Sequence, residues 1–105
     1  MVSCAELIQK LGEFKSNKAS EFKLAPIEKW MIEKLGVRRL PNPTGSMVRY
    51  QHPSIGRLRG SSIFGIHRQH RGKREIVSRR DFRTYLCPRL EDIIQFMIQE
   101  GECEK

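Results

Sequence analysis

Residues 47–77 read MVRYQHPSIGRLRGSSIFGIHRQHRGKREIV, and a small antiparallel sheet can be traced along them. Met47 to His52 alternates as a strand does, with Val48, Tyr50 and His52 on one face and Arg49 and Gln51 on the other. Pro53, Gly56 and Gly60 mark a long basic turn that holds Arg57 and Arg59. Ser62 to Arg68 is a second strand, in which Ile63 and Phe64 give apolar character to both faces. His70 to Lys73 forms a tight connection centred on Gly72, and Glu75 to Val77 is either a short third strand or an extended approach to a helix.

Helices are expected on both sides of this stretch. Upstream, Ser3 with Glu6 three residues on makes a capping box, and Leu7, Ile8, Leu11 and Phe14 follow on one helical face. Residues 16–20 (SNKAS) read as a linker. A second helix opens at Pro26, carries Ile27, Trp30, Met31 and Leu35 on its apolar stripe, and ends at Gly36. The turn formers of LPNPTG, residues 40–45, then exclude helix. Downstream, Ser78 begins a helix with Asp81 in its first turn and Phe82, Tyr85 and Leu86 on its apolar face, and Pro88 stops it. Leu90, Ile93, Ile94, Met97 and Ile98 mark a last helix that Gly101 ends. The order predicts an α+β domain, a small antiparallel sheet with helices on one face. Residues 1–20 read as a helical extension and linker, 21–101 as the domain and 102–105 as a charged tail.

Charge is distributed unevenly along the 105 residues, whose formal net charge is +8. Residues 1–45 carry a net +3, residues 46–89 a net +9 and residues 90–105 a net −4. The central block contains ten arginines and a single lysine against Glu75 and Asp81. Guanidinium binds phosphate in bidentate fashion and stacks on bases, so an arginine-rich block of this kind calls for a polyanion, most plausibly nucleic acid. Arg49, Arg57, Arg59, Arg68, Arg71, Lys73, Arg74, Arg79, Arg80 and Arg83 are the expected phosphate contacts. No apolar run approaches the ~20 residues that cross a bilayer, and the N-terminus lacks a secretion signal, so a cytoplasmic location without membrane association is expected. Cys4, Cys87 and Cys103 cannot all pair within one chain and none lies at CxxC spacing. They read as buried or incidental thiols rather than a disulfide scaffold or zinc knuckle. No metal or other cofactor is expected, and phosphate loops and nucleophile elbows are absent from the sequence.

The chain resembles the HicA toxins of bacterial toxin–antitoxin pairs, also called YcfA-like mRNA interferases. The resemblance covers residues 27–86. It rests on IEKWMIEKLGV (27–37), GSMVRYQHPSIGR (45–57) and IHRQHRGKREIVSRRDFRTYL (66–86). It implies a fold like the double-stranded-RNA-binding domain, helix–three strands–helix, to which this chain adds helices at both ends. It also implies metal-independent cleavage of messenger RNA and a paired antitoxin, which would be acidic, over the site. The family's catalytic residue is the His of Gly-Ser-His, and here that position is Met47, whose thioether cannot carry a proton at neutral pH.

RNA cleavage without metal needs a base for the 2′-hydroxyl proton and an acid for the leaving oxygen, which imidazole supplies. His67 and His70, set among basic residues, are the remaining candidates, whereas His52 shares a face with Val48 and Tyr50 and reads as structural. Two alternatives to RNA stay open: DNA binding, and an adaptor whose basic sheet grips an acidic protein while Ile94 and Met97 make apolar contacts.

Overall fold

A computed structural model of the chain describes residues 2–16, 22–41, 45–53, 62–78 and 89–105. Helix α1 spans Cys4–Lys15, and the Ser3 side chain accepts the Glu6 N–H at 3.1 Å, the cap that the sequence announces. Helix α2 spans Leu24–Trp30 and widens into a π-helical turn over Met31–Leu35. Pro26 lies in its first turn, where a missing N–H costs nothing. Gly36 closes the helix at φ +68°, a left-handed conformation that a residue with a Cβ adopts only under strain.

Four strands follow, β1 (Arg38–Arg39), β2 (Met47–Gln51), β3 (Ile63–Arg71) and β4 (Arg74–Val77), and helix α3 (Leu90–Gln99) comes last. The strands pair in the order β1-β2-β3-β4, every neighbour antiparallel, in a sheet curled into a half-barrel with the helices flanking it. The fold is therefore α+β, as the alternating pattern predicts. Glu75 to Val77 belongs to a true strand, hinged on β3 through Gly72 at φ +62°. The two-residue β1 was not expected. Phe22 extends the far edge, accepting the Val77 N–H at 2.7 Å, and Arg89 lies parallel beside Gly65 where β4 has run out. The predicted 78–88 helix and the basic turn, apart from Pro53 and Ser62 at its ends, lie outside the described residues; of the former only Ser78 is described.

One face of the sheet supplies Val48, Tyr50, Phe64, Ile66 and Val77 to the core. Onto it pack Leu24, Ile27, Met31 and Leu35 of α2 and its π turn, and Leu90, Ile93, Ile94 and Met97 of α3. Helix α1, set apart by the sequence reading as an extension, contributes Leu7, Leu11 and Phe14 to this same core. Its partly buried Lys10 ammonium sits 5.0 Å from the centre of the Trp30 ring.

The cysteines require a correction. Cys4 and Cys103, 99 residues apart, are joined in a disulfide. Counting cysteines and their spacings misses this pair because the two ends of the chain run side by side: Cys4 N donates to Glu104 O at 2.7 Å and Glu104 N to Val2 O at 2.9 Å.

His52 is 3 % exposed, as its place beside Val48 and Tyr50 predicts. Burial lowers its pKa from the ordinary value, and Glu102 opposes that only in part. The neutral ring is thus the folded form, and below the unfolded pKa of roughly 6.5 the unfolded chain binds the extra proton. Stability is complete above that pH and falls as pH drops through it, by at most about 1.4 kcal/mol per pH unit for one group. Urea titrations at about pH 7.5 and about pH 5 should show a larger acid loss for the natural chain than for His52→Gln. Equal losses would remove His52 from the account. Among the described residues no helix is long and apolar enough to cross a membrane.

Candidate nucleic-acid interface

Because β2 and β3 alternate, the face opposite the core is set by register. Arg68 N donates to Ser46 O and His52 N to Ser62 O, both at 2.8 Å, so the pairs Met47/His67, Arg49/Gly65 and Gln51/Ile63 are the non-hydrogen-bonded ones. Such pairs bring their side chains closest together. Adding β1 and β4 by the same parity places Arg38, Met47, Arg49, Gln51, His67, Gln69 and Arg74 on the outer face. Among the described residues no carboxylate occupies a position on it.

The carboxylates associated with the sheet lie on the other side. Glu28 of α2 receives Arg39 Nη1 at 3.2 and 3.3 Å, and Glu75 receives Arg68 Nη1 at 2.9 Å. Arg39 and Arg68 are in register with the buried Tyr50 and Val77, which confirms the face they share. Consecutive arginines therefore have opposite environments. Arg38 Nη2 donates to the neutral Gln51 Oε1 at 2.9 Å and keeps its charge, whereas the Arg39 charge is matched by a carboxylate.

The predicted phosphate contacts divide accordingly. Arg49 stands half-buried in the middle of the outer face. Lys73 and Arg74 are exposed at the β3–β4 turn, with Arg71 in register opposite Arg74. Arg68 turns to the helix side and engages Glu75. Arg57, Arg59, Arg79, Arg80 and Arg83 lie outside the described residues. Two cations escaped the sequence reading. Arg38 belongs to a strand too short to show a period, and Lys23 lines an open cleft of about 360 Å³ with Ala25, Pro26, Arg74 and Glu75.

The two candidate histidines are separated. His70 is exposed on the Arg68 side, its Nε2 4.0 Å from Glu75 Oε1. His67 lies directly across from Met47, and its Nε2 is hydrogen-bonded to Ser46 Oγ at 2.8 Å. An imidazole nitrogen within reach of a hydroxyl can exchange a proton with an oxygen at that place. Ser46 carries no signal of this role in sequence, being 21 residues from its partner. The apolar residues invoked for an adaptor are internal, Ile94 at 0 % and Met97 at 4 % exposure. Among the described residues no group of three or more His, Cys, Asp or Glu could hold a metal ion.

No family model, no curated protein and no solved structure matches the chain.

Proposed function

We propose that this chain is a small RNA-binding protein of HicA-like type that lays the outer face of its sheet against a sugar–phosphate backbone in the cytoplasm. The observation that carries the reading is the sorting of charge by face: carboxylates neutralise Arg39 and Arg68 on the helix side, while Arg38 and Arg74 stand on the outer face, where no carboxylate holds a strand position among the described residues. An arginine bonded to a neutral amide, as Arg38 is to Gln51, keeps its affinity for phosphate. RNA is favoured over DNA because the face is a sheet rather than a helix presented to a major groove, and RNA is read largely by shape, backbone and 2′-hydroxyl. An acidic antitoxin-like protein would compete for the same face. Filter binding of labelled RNA and of DNA of the same sequence tests the reading, which predicts binding of both with RNA the tighter. No RNA binding at low salt would overturn it.

A second reading, cleavage, is favoured by the place of His67. Position 47, where the HicA family carries its histidine, holds Met here, and His67 is its cross-strand neighbour. In this reading neutral Nε2 takes the 2′-hydroxyl proton, O2′ attacks the adjacent phosphorus, and the bond to O5′ breaks. O5′ leaves with a proton taken from solvent water, and the His67 imidazolium returns its own to solvent, giving a 2′,3′-cyclic phosphate and a 5′-hydroxyl. Arg49 on the same face would offset the charge that builds on phosphorus. Incubating the protein with end-labelled RNA in chelator should yield these ends, with His67→Ala lowering the rate by about 100-fold or more and His70→Ala changing it little. Intact RNA, or equal cleavage by His67→Ala, would leave RNA binding alone.

A further inference from the structure

We propose that Cys4 and Cys103 are a thiol switch, a site of reversible oxidation that uses a low-molecular-weight disulfide of the glutathione type and locks the two ends of the chain over the core. The inference stands on the geometry of the termini and is independent of the nucleic-acid reading. Cys4 is the first residue of α1, and Cys103 lies beyond α3, where Gly101 at φ +70° turns the chain back. Backbone bonds bring the two together: Cys4 N to Glu104 O at 2.7 Å, Glu104 N to Val2 O at 2.9 Å, and Glu102 N to Met97 O at 2.8 Å. The Cα atoms stand 5.0 Å apart, within the range a disulfide needs. None of these bonds involves sulfur, so the thiols stay adjacent when reduced and the bridge can re-form without a search.

The two sulfurs differ in access. Cys103 is 6 % exposed, while Cys4 is partly exposed on the first residue of a 12-residue helix, so an external disulfide reaches Cys4 first. Oxidation therefore starts at Cys4. Its thiolate attacks glutathione disulfide, releases one glutathione and forms a mixed disulfide. The Cys103 thiolate then attacks the Cys4 sulfur and releases the second glutathione. The two protein thiols are oxidised by two electrons and one glutathione disulfide is reduced to two glutathiones. A reducing compartment runs the sequence backwards, and bridges of this kind in such compartments are characteristically transient.

The lock has a definite target. It fixes Val2 and Cys103 in the core and holds Glu102 near enough to influence His52. His52 follows directly on β2, which ends at Gln51. Closing the bridge braces this end of the sheet, and opening it loosens the terminal segments, which their backbone bonds still hold side by side.

Equilibrating the full-length chain in glutathione buffers of graded ratio tests this, with trapped thiols mapped by alkylation and peptide mass. The expected result is a two-electron transition assigned to Cys4 and Cys103. Amide hydrogen exchange should then be at least about tenfold faster at residues 2–6 and 100–105 in the reduced form, with the strands unchanged. Cys4→Ser should match the reduced form in every buffer. In Cys87→Ser the transition should persist; if that variant does not fold, the peptide map of the natural chain decides the pairing. Thiols that stay free in the most oxidising buffer, a bridge to Cys87 instead, or identical exchange at the ends in both forms would each overturn the proposal.

Discussion

Reversing the two charges at the β3–β4 turn, Lys73→Glu with Arg74→Glu, is expected to weaken RNA binding about 30-fold near 0.1 M salt. Each phosphate contact releases roughly 0.7 to 0.9 of a counterion, so two lost contacts amount to about 1.5 log units of affinity at that salt and reduce the salt slope by about the same number. Both residues are exposed, and the turn is fixed by Gly72 rather than by their side chains, so thermal stability should not change. The informative control is Lys29→Glu with Lys34→Glu. It alters net charge equally, but on exposed positions of α2 and its π turn, on the helix side of the molecule. A face-specific interface predicts a small effect there. Equal losses from both pairs would mean that RNA responds to total charge and not to the sheet.

Phe64→Ala should cost about 3–5 kcal/mol, the largest stability effect of any single substitution considered for this chain. Phe64 is fully buried, lies opposite Tyr50 in register, and stacks on that ring with centroids 5.6 Å apart. Its removal deletes an aromatic pair and leaves a cavity between sheet and helices. For a domain with ~5–15 kcal/mol in hand, a melting temperature lower by roughly 15 °C or more is expected. Phe64→Leu, which refills much of the volume, should lose less than half as much. RNA affinity of Phe64→Ala, corrected for the unfolded fraction, should remain near that of the natural chain, because the ring points away from the proposed interface. Equal melting temperatures for Phe64→Ala and the natural chain would contradict the packing described.

The parts of the fold that sequence reasoning reached are those written in local pattern. The two-residue period of Met47–Gln51 separated core from outer face, and Ser3, Gly36, Gly72 and Gly101 marked caps and turns whose chemistry is carried by single residues. What it missed depends on register. Arg38 and Arg39 are adjacent in sequence, yet one bonds a neutral amide and the other a carboxylate, because a strand turns consecutive side chains to opposite faces. Arg68 reaches Glu75 only through the hairpin, and Ser46 reaches His67 only across β2 and β3. Neither contact leaves a trace in composition. The Leu7–Leu11–Phe14 stripe foretold a buried face without saying what would cover it, so α1 read as an extension although it shares the core with α3. The Cys4–Cys103 pairing follows from that same packing.

Sorting of charge between the two faces of the sheet is the centre of this account, and the salt dependence of RNA binding tests it most directly. With about five phosphates engaged, the logarithm of affinity should fall against the logarithm of salt concentration with a slope of roughly −3.5 to −4.5. A slope near zero would contradict the account, since cations that displace no counterions are not lying along a phosphate backbone.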